Sequence, residues 1–103
     1  MHPYVSYITD VVAIRHADPQ SERALRQFGA TRDSRGDLKI AFASKQELAD
    51  ILAVVRDQGM AFSAGPDWSP SEQFEELRAL GLIQGPYDMI VWYKPDDFRI
   101  VRR

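Results

Sequence analysis

The sequence predicts a single α+β domain spanning 1–103, with helices on one face of a mainly antiparallel sheet. Three observations carry that expectation. Three segments read as capped helices, each opened by Asp or Ser and closed by Gly: Asp18–Gly29, Ser44–Gly59 and Ser69–Gly81. Around them lie runs rich in β-branched and aromatic residues, chiefly Val5–Arg15, Leu38–Ala43 and Tyr87–Tyr93. No linker divides the chain, because the Ala64-Gly65-Pro66 turn is too short to separate domains.

Val5–Arg15 reads as one long strand bent near Thr9 and Asp10. Asp18 and Pro19 start a short helix carrying Ala24, Leu25 and Phe28, and Gly29 stops it. The turn-forming run Arg32–Asp37 joins a stub at Ala30–Thr31 to Leu38–Ala43. There Leu38, Ile40 and Phe42 alternate as in a half-buried strand. Ser44 and Glu47 make a capping box, behind which Leu48, Ile51, Leu52 and Val55 share one helical face. Gly59 ends that helix, and Met60–Phe62 is a short strand or extended link.

The third helix is the most fully specified element. Ser69 is a natural N-cap, and Pro70 suits the first helical position because its missing N–H would be unpaired there. Glu72 at the third position completes a second capping box. Glu72, Glu75 and Glu76 load the positive end of the helix dipole, Arg78 sits near the negative end, and Gly81 takes the left-handed stop. Tyr87–Tyr93 is β-prone on both faces, and Lys94-Pro95-Asp96-Asp97 turns it into a last strand, Phe98–Val101. The first part of this order matches a ferredoxin-like β-α-β-β-α-β sandwich, to which the third helix and a C-terminal β-hairpin are added.

Composition narrows the function classes. The apolar fraction of 45% and charged fraction of 27% are those of an ordinary soluble globular protein. A net charge of −2 argues against affinity built on neutralising phosphates, so no nucleic-acid partner is expected. No apolar run approaches the roughly 18 residues that span a bilayer. The start, MHPYVSYITD, lacks the basic-then-apolar order of a secretory signal. No membrane association and cytoplasmic residence are therefore the expectations. The absence of cysteine removes disulfides, thiol nucleophiles and thiolate metal sites.

One local resemblance bears on nucleic acid. Ser34-Arg35-Gly36 ahead of Ala41-Phe42-Ala43-Ser44 and a helix, with Leu25-Arg26-Gln27-Phe28-Gly29 before it, resembles part of an RNA-recognition motif over about Glu22 to Leu52. Aligned on Arg35-Gly36 and Phe42, the positions that hold stacking aromatics in that family carry Asp37 and Lys39. Base stacking on those rings is how such domains hold single strands, so the resemblance does not extend to RNA binding here.

No catalytic set assembles in the sequence. Of two histidines, His2 is terminal, and His16 stands two residues before Asp18 at a strand end. That pair reads either as a general base oriented by a carboxylate or as a solvated loop His beside a helix cap. No serine sits in a G-x-S-x-G elbow, and no glycine-rich phosphate loop occurs. Glu72, Glu75 and Glu76 share a helix face, but no histidine joins them, so neither a metal nor a cofactor is expected.

Binding is better supplied than catalysis. Arg15 to Lys45 carries seven basic against four acidic residues, whereas Asp67 to Asp97 carries seven acidic against two basic. Trp68, next to Asp67, either packs back on Phe74 or Leu77 as a lid or stands as an exposed indole of the kind that dominates binding hot spots. Alternation sends Ile90 and Trp92 to one face of their strand and Val91 and Tyr93 to the other. The expectation is a small non-enzymatic protein-binding domain that acts by surface occlusion, as a stand-alone inhibitor, immunity-type protein or adaptor does. Its contact surface is expected to comprise Asp67, Trp68, Glu72, Glu75, Glu76, Trp92 and Tyr93, offered to a partner with a basic surface or, through the C-terminal hairpin edge, to a second copy. The alternative is a small ferredoxin-like enzyme or ligand-binding domain. Its pocket would lie between sheet and helices, lined by Tyr7, Trp92 and Tyr93, with His16 or Asp10 as acid–base group.

Overall fold

Thr9 and Asp10 do more than bend the first β-prone run: they fold it back on itself. In the computed structural model, which describes residues 2–103, strand β1 (Tyr4–Ile8) and strand β2 (Val11–Arg15) form an antiparallel hairpin. The turn is closed by the Thr9 N–H donating to the Val11 carbonyl at 3.0 Å and by the Thr9 hydroxyl donating to the Asp10 carboxylate at 3.1 Å. The expected single strand is instead two, with Val5 paired to Ile14 and Ile8 to Val12 across the turn. Folding back lets both halves find partners for their backbone groups.

Helix α1 (Pro19–Leu25) follows, capped by the Asp18 carboxylate accepting from the Ser21 N–H at 2.7 Å. That bond, and a second from Ser21's hydroxyl, hold the Asp18 carboxyl below its ordinary 3.8. A 3₁₀ turn over Arg26–Phe28 ends at Gly29 with φ 81°. The stub becomes β3 (Thr31–Arg32), followed by β4 (Leu38–Ala41), α2 (Lys45–Asp57), β5 (Ala61–Ser63), α3 (Pro70–Ala79), β6 (Asp88–Lys94) and β7 (Asp97–Arg102). Both serine caps form. The Ser44 hydroxyl accepts from the Glu47 N–H at 3.1 Å, and the Ser69 hydroxyl accepts from the Glu72 N–H at 3.4 Å. In α2 the Glu47 carboxylate reaches back to the Ala43 N–H at 2.7 Å.

All seven strands join one sheet in the order β3-β4-β2-β1-β5-β6-β7. Four neighbouring pairs are antiparallel, while β1/β5 and β5/β6 are parallel. The ferredoxin-like order does not hold. The segment β2-α1-β3-β4-α2-β5 has the expected element sequence, but β1 stands between β2 and β5, and β5 continues in parallel into β6. The architecture is α+β, with three α-helices and a mostly antiparallel seven-stranded sheet among the described residues.

The two faces of that sheet differ. On one, Val5, Val12, Ile14, Leu38, Ile40 and Phe62 meet Leu25 of α1, Leu48, Ile51, Leu52 and Val55 of α2, and Phe74 and Leu77 of α3. Phe74 stacks on Tyr87 with centroids 4.0 Å apart and takes Phe62 edge-on at 5.0 Å. Each such fully buried side chain contributes about 1.5–3 kcal/mol. On the other face, Tyr4, Ala61 and Ile90 form a smaller buried cluster, with Trp92 and Phe98 half-buried against it.

Candidate functional site

The pairing of Phe62 with Met89 and of Ser63 with Ile90 decides which way β6 points. Met89 shares the helix-covered core, so Ile90 and Trp92 fall on the uncovered face. There the Trp92 ring meets Tyr4 near edge-on at 5.8 Å and Phe98 at 5.3 Å. The Trp92 indole N–H donates to the Ser63 hydroxyl at 2.9 Å, which fixes the ring across β5. His16, at φ 61° just beyond β2, brings its ring to 6.0 Å from Tyr4. Ile100, paired with Ile90, stays 39% exposed. The result is an apolar ledge: Tyr4 and Ile90 at its base, Trp92 and Phe98 half-buried, Ile100 in solvent.

Val91 and Tyr93 occupy the opposite face, where burial fades along the strand. Met89 packs against the main core, Val91 is half-buried, and Tyr93 is 58% exposed with the Arg99 guanidinium 5.7 Å from its ring centroid. Trp92 and Tyr93 therefore never line one pocket, and the expected cavity bounded by Tyr7, Trp92 and Tyr93 is not assembled.

A second region lies at the carboxyl ends of β1 and β5. The loop between β5 and α3 is pinned by the Gly65 N–H donating to the Trp68 carbonyl at 3.0 Å, and a Cβ at Gly65 would stand 3.4 Å from the Ser6 carbonyl. Trp68 is half-buried and packs against the core to which Phe74 and Leu77 belong, which makes it a lid. Its indole N–H is shielded from solvent without a hydrogen-bond partner. Beside it is a cleft of about 260 Å³ whose walls include Tyr7, Ile8, Gly65, Pro66, Asp67 and Trp68. The Tyr7 hydroxyl accepts from the Lys39 ammonium, whose Nζ is also 3.7 Å from Asp33. The Tyr7 bond, reinforced by Asp33, holds Lys39 above its ordinary value.

The acidic residues form a separate surface. Glu72, Glu75 and Glu76 are exposed on α3, in the helix layer, with the sheet between them and Trp92. Glu76 is ion-paired with Lys45 at the start of α2. Of the seven expected contact residues, Asp67 and Trp68 share the cleft and run into the acidic α3, Trp92 sits on the ledge, and Tyr93 stands apart on the helix side of β6. Tyr4, Phe98 and Ser63, which complete the ledge, carry no local sequence signal. They arrive through strand order.

The acid–base candidates do not converge. Asp18 is engaged as the α1 cap, Asp10 closes the β1–β2 turn, and neither His16 nor Asp10 borders the cleft. A further cleft, of about 330 Å³, is bordered by Arg56, Asp57, Gln84, Asp88 and Arg102. Its charges are internally matched: Arg56 donates to the Gln84 carbonyl and to Asp57, and Arg102 pairs with Asp88 at 3.1 Å. Asp37 and Lys39, at the positions equivalent to stacking aromatics, sit in ion pairs with Arg15 and Asp33. Among the described residues no three His, Asp or Glu side chains gather as a metal site, and no helix is long and apolar enough to cross a membrane. Comparison with protein-family models, with curated proteins and with solved structures finds no match for this chain.

Proposed function

We propose that this is a small non-enzymatic protein-binding domain that acts by covering part of a partner's surface, as a stand-alone inhibitor, immunity-type protein or adaptor does. One observation carries the reading: the ledge of Tyr4, Trp92, Phe98 and Ile100 on a sheet face that no helix of the described residues covers. A tryptophan held in place by a hydrogen bond loses little freedom on binding, which suits it to anchor a complex.

Magnitudes separate the ledge from the acidic helix. The carboxylates of α3 stand on the order of 15 Å from the ledge, given the thickness of a helix layer on a sheet. Screening at physiological salt acts over about 8 Å. Glu72 and Glu75 therefore add little to a complex seated on the ledge, and serve a basic partner only at α3 itself. The test is capture from a lysate of the native host, followed by mass spectrometry, with the wild type, Trp92→Ala and the pair Glu72→Lys/Glu75→Lys. A partner kept by the charge-reversed pair and lost by a folded Trp92→Ala supports the ledge. Loss only on charge reversal moves the contact to α3, and capture of nothing by the wild type removes the protein-binding reading.

The cleft beside Trp68 favours a second reading, a ligand-binding domain, because about 260 Å³ of space is walled largely by Tyr7, Ile8, Pro66 and Trp68, with Asp67 beside them. Chemical-shift changes at Trp68 on titration with small acceptors would support it, and an unresponsive indole would dismiss it.

A further inference from the structure

We infer that two copies of this chain pair through the free edge of β7, antiparallel about a two-fold axis at Ile100, so that the sheet runs on from one copy into the other. β7 ends the strand order, and among the described residues its outer backbone edge has no neighbour in the sheet. This pairing does not rest on the partner-binding reading, since its hydrogen bonds come from the edge of the sheet and it takes up only Phe98 and Ile100 of the ledge.

Backbone phase limits the registers. The Tyr87 and Arg103 peptide groups exchange two hydrogen bonds, at 3.2 and 2.9 Å. Alternation from that pair turns the peptide groups of Arg99 and Val101 inward to β6, and those of Phe98, Ile100 and Arg102 outward. A second β7 can bond only by setting outward residues opposite outward residues. Placing Ile100 opposite Ile100 of the second copy also sets Phe98 opposite its Arg102, and Arg102 opposite its Phe98. All three outward positions are then used, for roughly six hydrogen bonds.

Side chains select the same register. On the helix side it places Asp97 opposite Arg103 of the second copy, twice per dimer, and Arg99 opposite Val101. A shift one way puts Arg99 opposite Arg99, and a shift the other way puts Arg99 opposite Arg103, each a like-charge contact directly across the ladder. Edge arginines ordinarily discourage strand addition, but here they discriminate. The Arg99 guanidinium leans back over Tyr93, and the Arg102 charge is held by Asp88, which leaves its alkyl stem facing the Phe98 ring of the second copy. On the uncovered face the two Ile100 side chains meet, covering the exposed end of each ledge and joining the two into one surface.

Sedimentation velocity from about 10 μM to about 1 mM tests the pairing over the range expected for a small interface. The wild-type mass should rise from 11.8 kDa toward twice that value. Asp97→Arg and Arg103→Asp should each weaken association about tenfold by setting like charges opposite, and the double exchange should restore it. Ile100→Pro removes an outward N–H that β6 does not use, and should abolish the dimer while the far-UV spectrum is retained. Trp92→Ala, which disables the ledge but not the edge, should leave the dimer in place, so the two proposals fail separately. A wild type that stays at 11.8 kDa throughout, a dimer that survives Ile100→Pro, or one indifferent to both single charge changes overturns the inference.

Discussion

The indole N–H of Trp92 donates to the Ser63 hydroxyl across 2.9 Å, tying β6 to β5 on the face of the sheet that the helices leave open. Ser63 is 5% exposed, so the bond lies under the ledge rather than in solvent. Ser63→Ala leaves the indole donor unpaired in a partly desolvated place, and should cost about 1–2 kcal/mol. Ser63→Thr keeps a hydroxyl and should cost less. Urea unfolding of the three proteins checks this, and an Ala variant as stable as the wild type would mean that water replaces the serine without loss.

The helix caps give a second expectation. Ser44 accepts from the Glu47 N–H at 3.1 Å at the start of the helix that supplies Leu48, Ile51, Leu52 and Val55 to the core. Ser44→Ala should lower stability by about 1 kcal/mol and Ser44→Gly by only a few tenths. Thermal unfolding followed by circular dichroism distinguishes the two, and equal losses would remove the cap as the cause.

These caps also mark what the sequence made legible. Each cap and glycine stop is a local interaction among residues three or four apart, and Asp18, Ser44, Ser69, Gly29 and Gly81 all act as their positions predict. The β1–β2 hairpin was hidden because Thr9-Asp10 lacks the glycine that usually announces a two-residue turn. Alternation in Ile90–Tyr93 likewise separates two faces without saying which one the helices cover. Its sign came from Phe62 pairing with Met89 across 27 residues of chain, and the ledge came from Tyr4 and Trp92 meeting across 88. Those contacts depend on strand order, which local propensity does not encode. Trp68 joined the core rather than the solvent because the Gly65–Trp68 bond folds its loop onto β1.

Asp33 supplies a pH dependence with a definite sign. Burial pushes its carboxyl up, but the N–H groups of Arg35 at 2.9 Å and Asp37 at 3.0 Å, with the Lys39 charge, outweigh that and hold it below its ordinary 3.8. A carboxylate whose folded value is depressed stabilises the fold fully above its unfolded value, and loses that contribution as pH falls through the folded one. The loss therefore begins near 3.8 and continues below it. Asp33→Asn keeps an acceptor for both N–H groups and removes the titration. Its urea midpoint should fall less steeply than that of the wild type between about pH 5 and about pH 2. Parallel acid limbs would show that Asp33 is not a source of acid sensitivity.

Trp68 separates shape from polarity. The ring packs against the main core as a half-buried lid, yet its N–H is shielded without a partner. A desolvated donor that bonds to nothing opposes folding, whereas the ring's apolar contacts favour it. Trp68→Phe keeps most of the ring and discards the donor, so its stability should equal or slightly exceed that of the wild type. Trp68→Ala removes the lid and should lose about 2–3 kcal/mol, less than for a fully buried tryptophan because the site is partly open to solvent. Equilibrium denaturation of the pair decides the matter. If Phe proves as damaging as Ala, the N–H has a partner in solution, and the account of Trp68 as an unpaired donor fails.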